Sequence, residues 1–105
     1  MTILGIGIDL VSVQRIKEAM KKPGFLDKIL TEKEKAIVKT PESVAGRWAA
    51  KEALMKTGSG VKTFKEIEIL PDETGQPRVT MPSGNWMVSI THEKEMAAAV
   101  VLRLG

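Results

Sequence analysis

Asp9, Glu52 and Lys56 are the residue types that hold a divalent cation and steady a phosphate beside it, and His92 is the only histidine in the chain. Magnesium takes oxygen donors, usually one or two protein carboxylates, and leaves the rest of its shell to phosphate and water. Asp9 lies in the stretch GIGIDL at residues 5–10. Glu52 and Lys56 lie in GRWAAKEALMKTG at 46–58, and His92 in SITHEKEMAAAVV at 89–101. Each residue also has a plainer reading. Asp9 can cap a helix starting at Ser12 or Val13. Glu52 and Lys56, four apart, can form an exposed ion pair of little energetic weight. A lone histidine with no acidic partner in view is more often structural than catalytic, and one histidine does not make a histidine-rich zinc site. Arg47 and Lys51 project about 40° apart on their helix, where composition alone reads them as a solvated face.

The elements that must position these groups follow from periodicity and capping. Residues 2–9 alternate as a strand, with Leu4, Ile6 and Ile8 on one face and Gly5, Gly7 and Asp9 on the other. The glycine face leaves room for a close neighbour, either a packed backbone or a ligand. Ser12 is the expected N-cap of a helix to about Met20, stopped by Pro23-Gly24. A short apolar helix over 25–30 follows. Thr31-Glu32-Lys33-Glu34 then has the pattern of a capping box. Thr40 as N-cap and Pro41 at the first helical position open the main helix, which runs to about Thr57. Its core stripe is Val44, Trp48 and Met55, with Glu52 at the stripe's edge among small alanines. Gly58-Ser59-Gly60 ends it and leaves a flexible loop. Beyond it, residues 65–70 alternate with Ile67 and Ile69 inward and Glu66 and Glu68 outward. Residues 79–81, 86–91 and 96–104 complete the strands. The alanines of 96–100 also suit a helix, but the Val-Val-Leu that follows favours a strand. Helices followed by strands give an α+β fold, an antiparallel sheet with helices packed on one face.

At 105 residues, 43% apolar and 28% charged, the chain reads as one globular domain spanning 1–105. So small a domain buries a modest share of its surface, which leaves oligomerisation open as a source of stability. There is no cysteine, so neither a disulfide framework nor a thiol nucleophile is present. No apolar run approaches the roughly 20 residues of a membrane span. The N-terminal residues read as a strand rather than a signal peptide, and a cytoplasmic location is expected. The formal charge of +3 suits an anionic ligand or an acidic protein. Nucleic acid would suit that sign too, but aromatics make up only 4% and the basic residues are mixed with acids. No nucleic-acid partner is expected.

Taken in order along the chain, the three segments resemble the holo-[acyl-carrier-protein] synthases of the 4′-phosphopantetheinyl transferase family. The resemblance implies transfer of 4′-phosphopantetheine from coenzyme A to a serine of apo acyl carrier protein, with release of adenosine 3′,5′-bisphosphate. It implies Mg2+ bound by Asp9 of the GxD element and by Glu52 of AAKEA, with Lys56 assisting. It places Arg47, Lys51, Gly58, Ser59, Gly60 and His92 about the coenzyme, and Arg15 with Lys22 in carrier docking. A homotrimer with active sites at subunit boundaries is implied as well. Met55 stands where the family usually has serine, so one polar nucleotide contact is missing. Trp48 and Thr91 replace the usual Phe and Ser with their chemical type kept. The segment from Lys56 to Gly58 is one residue shorter than common. A small nucleic-acid-binding domain and a hydrolase using the same carboxylates are the rival classes. The first would bind RNA with steep salt dependence, and the second would release phosphate without a carrier.

Overall fold

Three side-chain caps set the helix starts. The computed structural model describes residues 1–105, beginning with strand β1 (Ile3–Ser12) and helix α1 (Val13–Met20). The Ser12 hydroxyl accepts the Arg15 N–H, and no acid caps the first turn, so Asp9 is free of the capping role. Helix α2 (Phe25–Ile29) precedes α3 (Glu32–Ile37), where Thr31 and Glu34 form the complete capping box. Thr40 caps the long helix α4 (Pro41–Met55), with Pro41 in its first turn.

After a single 3₁₀ turn (Phe64–Glu66) come β2 (Glu68–Pro71), β3 (Pro77–Met81), β4 (Asn85–His92) and β5 (Met96–Leu104). All pairings are antiparallel, but there are two sheets: β1-β5-β4, and the separate hairpin β2-β3. The expected strand over 65–70 is thus half a 3₁₀ turn. Glu68 also departs from expectation: it is buried, accepting from the Thr31 and Thr80 hydroxyls at 2.7 Å each. Those bonds, the Thr31 one foremost, hold its carboxyl below the usual carboxylate range.

Helix α4 lies across one face of the larger sheet, and the glycines of β1 allow it to come close. A Cβ on Gly7 would sit 1.8 Å from the Ala53 carbonyl oxygen, and one on Gly5 2.0 Å from that of Thr57. The glycine face therefore receives a backbone. The aliphatic face of β1 points the other way, with Leu4, Ile6, Ile8 and Leu10 between 49% and 68% exposed. In the core, α4 contributes mainly its small residues, Ala45, Ala49, Ala50 and Ala53, together with Val44 and Leu54. Trp48 and Met55 are only half-buried, at the margin rather than the centre of the buried face. Trp48 stacks between Phe25 and Phe64, with ring centroids 5.9 and 4.5 Å away, a geometry worth about 1 kcal/mol per pair beyond area burial.

Candidate active site

The diagonal of α4 across the sheet separates two polar clusters. Its C-terminal half crosses β1 at Gly7, whereas Gly46, near its start, lies over β4, where an added Cβ would meet Ile90 Cγ2 at 2.9 Å. Asp9, Ala99 and Ile90 share one row of the β1-β5-β4 sheet. The clusters on β1 and β4 are therefore about two strand spacings apart, roughly 10 Å, and about two helix turns apart along α4.

The first cluster contains the carboxylate and lysine. Lys56 is the C-cap of α4, and its Nζ donates to the Ile8 carbonyl at 3.0 Å and to Asp9 Oδ1 at 3.1 Å. Asp9 is the more sheltered partner, its side chain 16% exposed against 52% for Lys56. Glu52 lies one turn before Lys56 on the same helix face, half-buried. It does not pair with Lys56, whose salt bridge goes to Asp9. One carboxylate is in contact with the Lys56 ammonium and a second lies one turn away on the same helix. Two carboxylates are as many as magnesium usually takes from a protein, so the residues fit that ion.

The second cluster is a pocket of about 190 Å³ lined by Ser43, Gly46, Arg47, Ile90, His92 and the tip of the β2–β3 hairpin. Arg47 Nε donates to the Ile69 carbonyl at 2.9 Å, which leaves the Nη groups to the pocket. Burial pushes the guanidinium pKa below its ordinary value, with the charge of Glu34 opposing. No carboxylate lies within salt-bridge distance of Arg47, so an anionic ligand would find its charge unpaired. His92 ends β4 and is exposed at the mouth.

Lys51 is the clear correction. It is fully buried, and its Nζ donates to Glu34 Oε1 at 2.6 Å and to the carbonyls of Ile29 at 2.7 Å and Phe64 at 3.2 Å. Burial lowers its pKa and Glu34 opposes that shift. With all three N–H donors engaged inside the fold, Lys51 offers nothing to coenzyme A. The helical projection contained the signal: seven residues from the buried Val44, Lys51 falls only about 20° from it. Glu34, its partner, is visible in the sequence only as part of a capping box.

Gly58 and Gly60 adopt φ of 80° and 82°, which favours glycine. Between them the Ser59 hydroxyl accepts from Val61 N and donates to Leu54 O, so this loop is internally tied. Arg103, not singled out by sequence, fastens it by donating to the Thr57 carbonyl at 3.0 Å. Arg15 and Lys22 are both exposed on or just after α1, and Glu18 pairs with Lys21 rather than Arg15.

A model of the 4′-phosphopantetheinyl transferase superfamily matches residues 5–101. The chain is 46% identical to a holo-[acyl-carrier-protein] synthase of Listeria welshimeri, covering 95% of this chain and 97% of that protein. It is 42% identical to one of Exiguobacterium, covering 95% and 91%. Among solved structures, a holo-(acyl-carrier-protein) synthase from Bacillus anthracis in complex with CoA (3′,5′-ADP) superposes with a TM-score of 0.88 at 36% identity, over 99% of this chain and 98% of that one. The Helicobacter pylori synthase in complex with coenzyme A gives 0.86 at 31% identity, over 93% and 98%. With that coverage in both directions, and with the fold and the order of motifs in agreement, the chain belongs to the holo-[acyl-carrier-protein] synthase family of the 4′-phosphopantetheinyl transferase superfamily.

Proposed function

We propose that this protein transfers 4′-phosphopantetheine from coenzyme A to a serine of an apo acyl carrier protein, releasing adenosine 3′,5′-bisphosphate. The observation that carries this reading is the Lys56–Asp9 contact one helix turn from Glu52, in a chain related to synthases solved with coenzyme A. Asp9 and Glu52 are the proposed holders of Mg2+, which when bound offsets negative charge on the pyrophosphate. Lys56, oriented by Ile8 O and Asp9, supplies a fixed ammonium for charge that builds on the leaving phosphate. The carrier serine must lose its proton as it attacks phosphorus, and either carboxylate or a water held by them is able to accept it.

Arg47 and His92 are assigned to a phosphate of the coenzyme, and the Gly58-Ser59-Gly60 loop, past the other end of α4, to the coenzyme as a backbone donor. In one protomer the Arg47–His92 pocket lies over the far strand, β4, from Asp9 on β1. That separation supports sites completed between subunits, and the bare aliphatic face of β1 supports a homotrimer. A stable monomer in light scattering at working concentration would count against that assembly. Arg15 and Lys22 are proposed to dock the acidic carrier.

Mass spectrometry of apo carrier protein incubated with this protein, coenzyme A and magnesium tests the reaction. A gain of the phosphopantetheine mass on the carrier is the expected result. An unmodified carrier with free phosphate in solution would point instead to hydrolysis.

A further inference from the structure

The β2–β3 hairpin belongs to a sheet of its own, yet Pro71, Gly75 and Pro77 form one wall of the Arg47–His92 pocket. What fixes that wall is a pair of anchors. At the root, Ile69 N donates to Glu34 Oε2 at 2.8 Å while Ile69 O accepts from Arg47 Nε. One residue of the hairpin thus ties the buried Lys51–Glu34 pair to the pocket's guanidinium. At the tip, Asp72 gathers the turn around its own carboxylate. Oδ1 accepts from Thr74 N at 2.8 Å, Thr74 Oγ1 at 2.6 Å and Gln76 N at 3.1 Å, and Oδ2 accepts from Arg78 Nε at 2.9 Å. Gly75, between these donors, has φ of 88° and donates to the Asp72 carbonyl at 2.9 Å.

We propose that Asp72 is a positioning residue for nucleotide binding. It holds the hairpin tip as the rigid wall of the Arg47–His92 pocket, without touching the ligand. This rests on the assignment of that pocket to a phosphate of coenzyme A. Four hydrogen bonds to one carboxylate fix the loop before the ligand arrives, so binding does not have to order it. The Thr74 and Arg78 hydrogen bonds hold the Asp72 carboxyl down at a pKa of about 2, so the knot stays ionised at neutral pH. The transfer chemistry lies in the other cluster, so loss of Asp72 acts on the affinity for the coenzyme and leaves the chemical step alone.

The test compares Asp72→Ala, Asp72→Asn, Thr74→Val and Arg47→Ala for steady-state transfer and for calorimetric binding of adenosine 3′,5′-bisphosphate. Asp72→Ala is expected to raise KM for coenzyme A about tenfold, with kcat and the carrier KM within about twofold. Asp72→Asn keeps an acceptor for the Thr74 and Gln76 donors and is expected to recover most of that loss. Thr74→Val, which removes one bond, is expected to weaken nucleotide binding by about two- to threefold, and it carries the test should Asp72→Ala fail to fold. Unchanged nucleotide affinity in both Asp72→Ala and Thr74→Val, with Arg47→Ala weakened, would overturn the positioning role and leave the pocket assignment standing. Unchanged affinity in Arg47→Ala as well would overturn both. Parallel losses in kcat and in both KM values would also overturn it, since they would mark a general structural defect.

Discussion

Lys51 and Lys56 stand five residues apart on the same helix and have opposite fates. Lys51 is 0% exposed and its ammonium is enclosed by Glu34 and two carbonyls, whereas the side chain of Lys56 is 52% exposed beside Asp9. The difference comes from what surrounds each side chain. Lys51 points toward the junction of α2, α3 and the 3₁₀ turn, where the carbonyls of Ile29 and Phe64 accept from it. Lys56 leaves the helix over β1, where its ammonium donates to one carbonyl and one carboxylate. A buried lysine with three acceptors is architecture, and an exposed lysine with a sheltered carboxylate is available for chemistry.

That contrast is best broken on the chemical side first. Asp9→Ala and Glu52→Ala are each expected to lower transfer by about a thousandfold while circular dichroism shows the fold retained. Near-normal magnesium-dependent turnover in either would remove the proposed metal pair. On the architectural side, Lys51→Ala strands the Glu34 carboxylate in the interior and is expected to cost about 3–5 kcal/mol in urea unfolding. A variant that keeps its stability but loses activity would reverse the assignment of Lys51. Lys56→Ala sharpens the contrast from the other direction: kcat about tenfold or more lower, with a thermal midpoint close to the parent's. Arg15→Glu tests the basic helix, with KM for the carrier rising several-fold more than KM for coenzyme A and a weaker salt dependence. Equal constants at low salt would move docking elsewhere.

Acid provides the smallest and most distributed effect. Asp72 and Glu68 have depressed carboxyl pKa values in the fold. The unfolded chain therefore takes up their protons first: each contribution is present above the ordinary value, 3.8 for Asp72 and 4.5 for Glu68, and is lost as pH falls through the lower folded value, for Asp72 between about pH 4 and 2. The thermal midpoint of the parent should drop more steeply over that interval than that of Asp72→Asn. Matching slopes would show that the knot at the hairpin tip adds no proton-linked stability.

Sequence alone made the local features legible. Ser12, Thr31 and Thr40 announce their helices because a cap involves residues only three apart. The strand at 96–104 was readable from Val-Val-Leu despite its alanines. Features that depend on distant partners were not. Glu68 was expected outward because it alternates with Ile67 and Ile69, yet Thr31 and Thr80 draw it in from 37 and 12 residues away. For β1 the alternation was correct, but only the packing of α4 decides that the glycines, rather than the aliphatics, face the core. The grouping of Arg47 with His92 was legible only through family resemblance, because it needs α4, β4 and the hairpin together.

A homo-oligomer that buries the bare aliphatic face of β1 would make this protein's stability a matter of mass action. If Leu4, Ile6, Ile8 and Leu10 are covered only by other copies of the chain, folding and association share one equilibrium. The melting temperature should then climb with protein concentration, and specific activity should fall on dilution even though every protomer keeps an intact Asp9 and Lys56. A cell making too few copies would have less catalyst per molecule as well as fewer molecules.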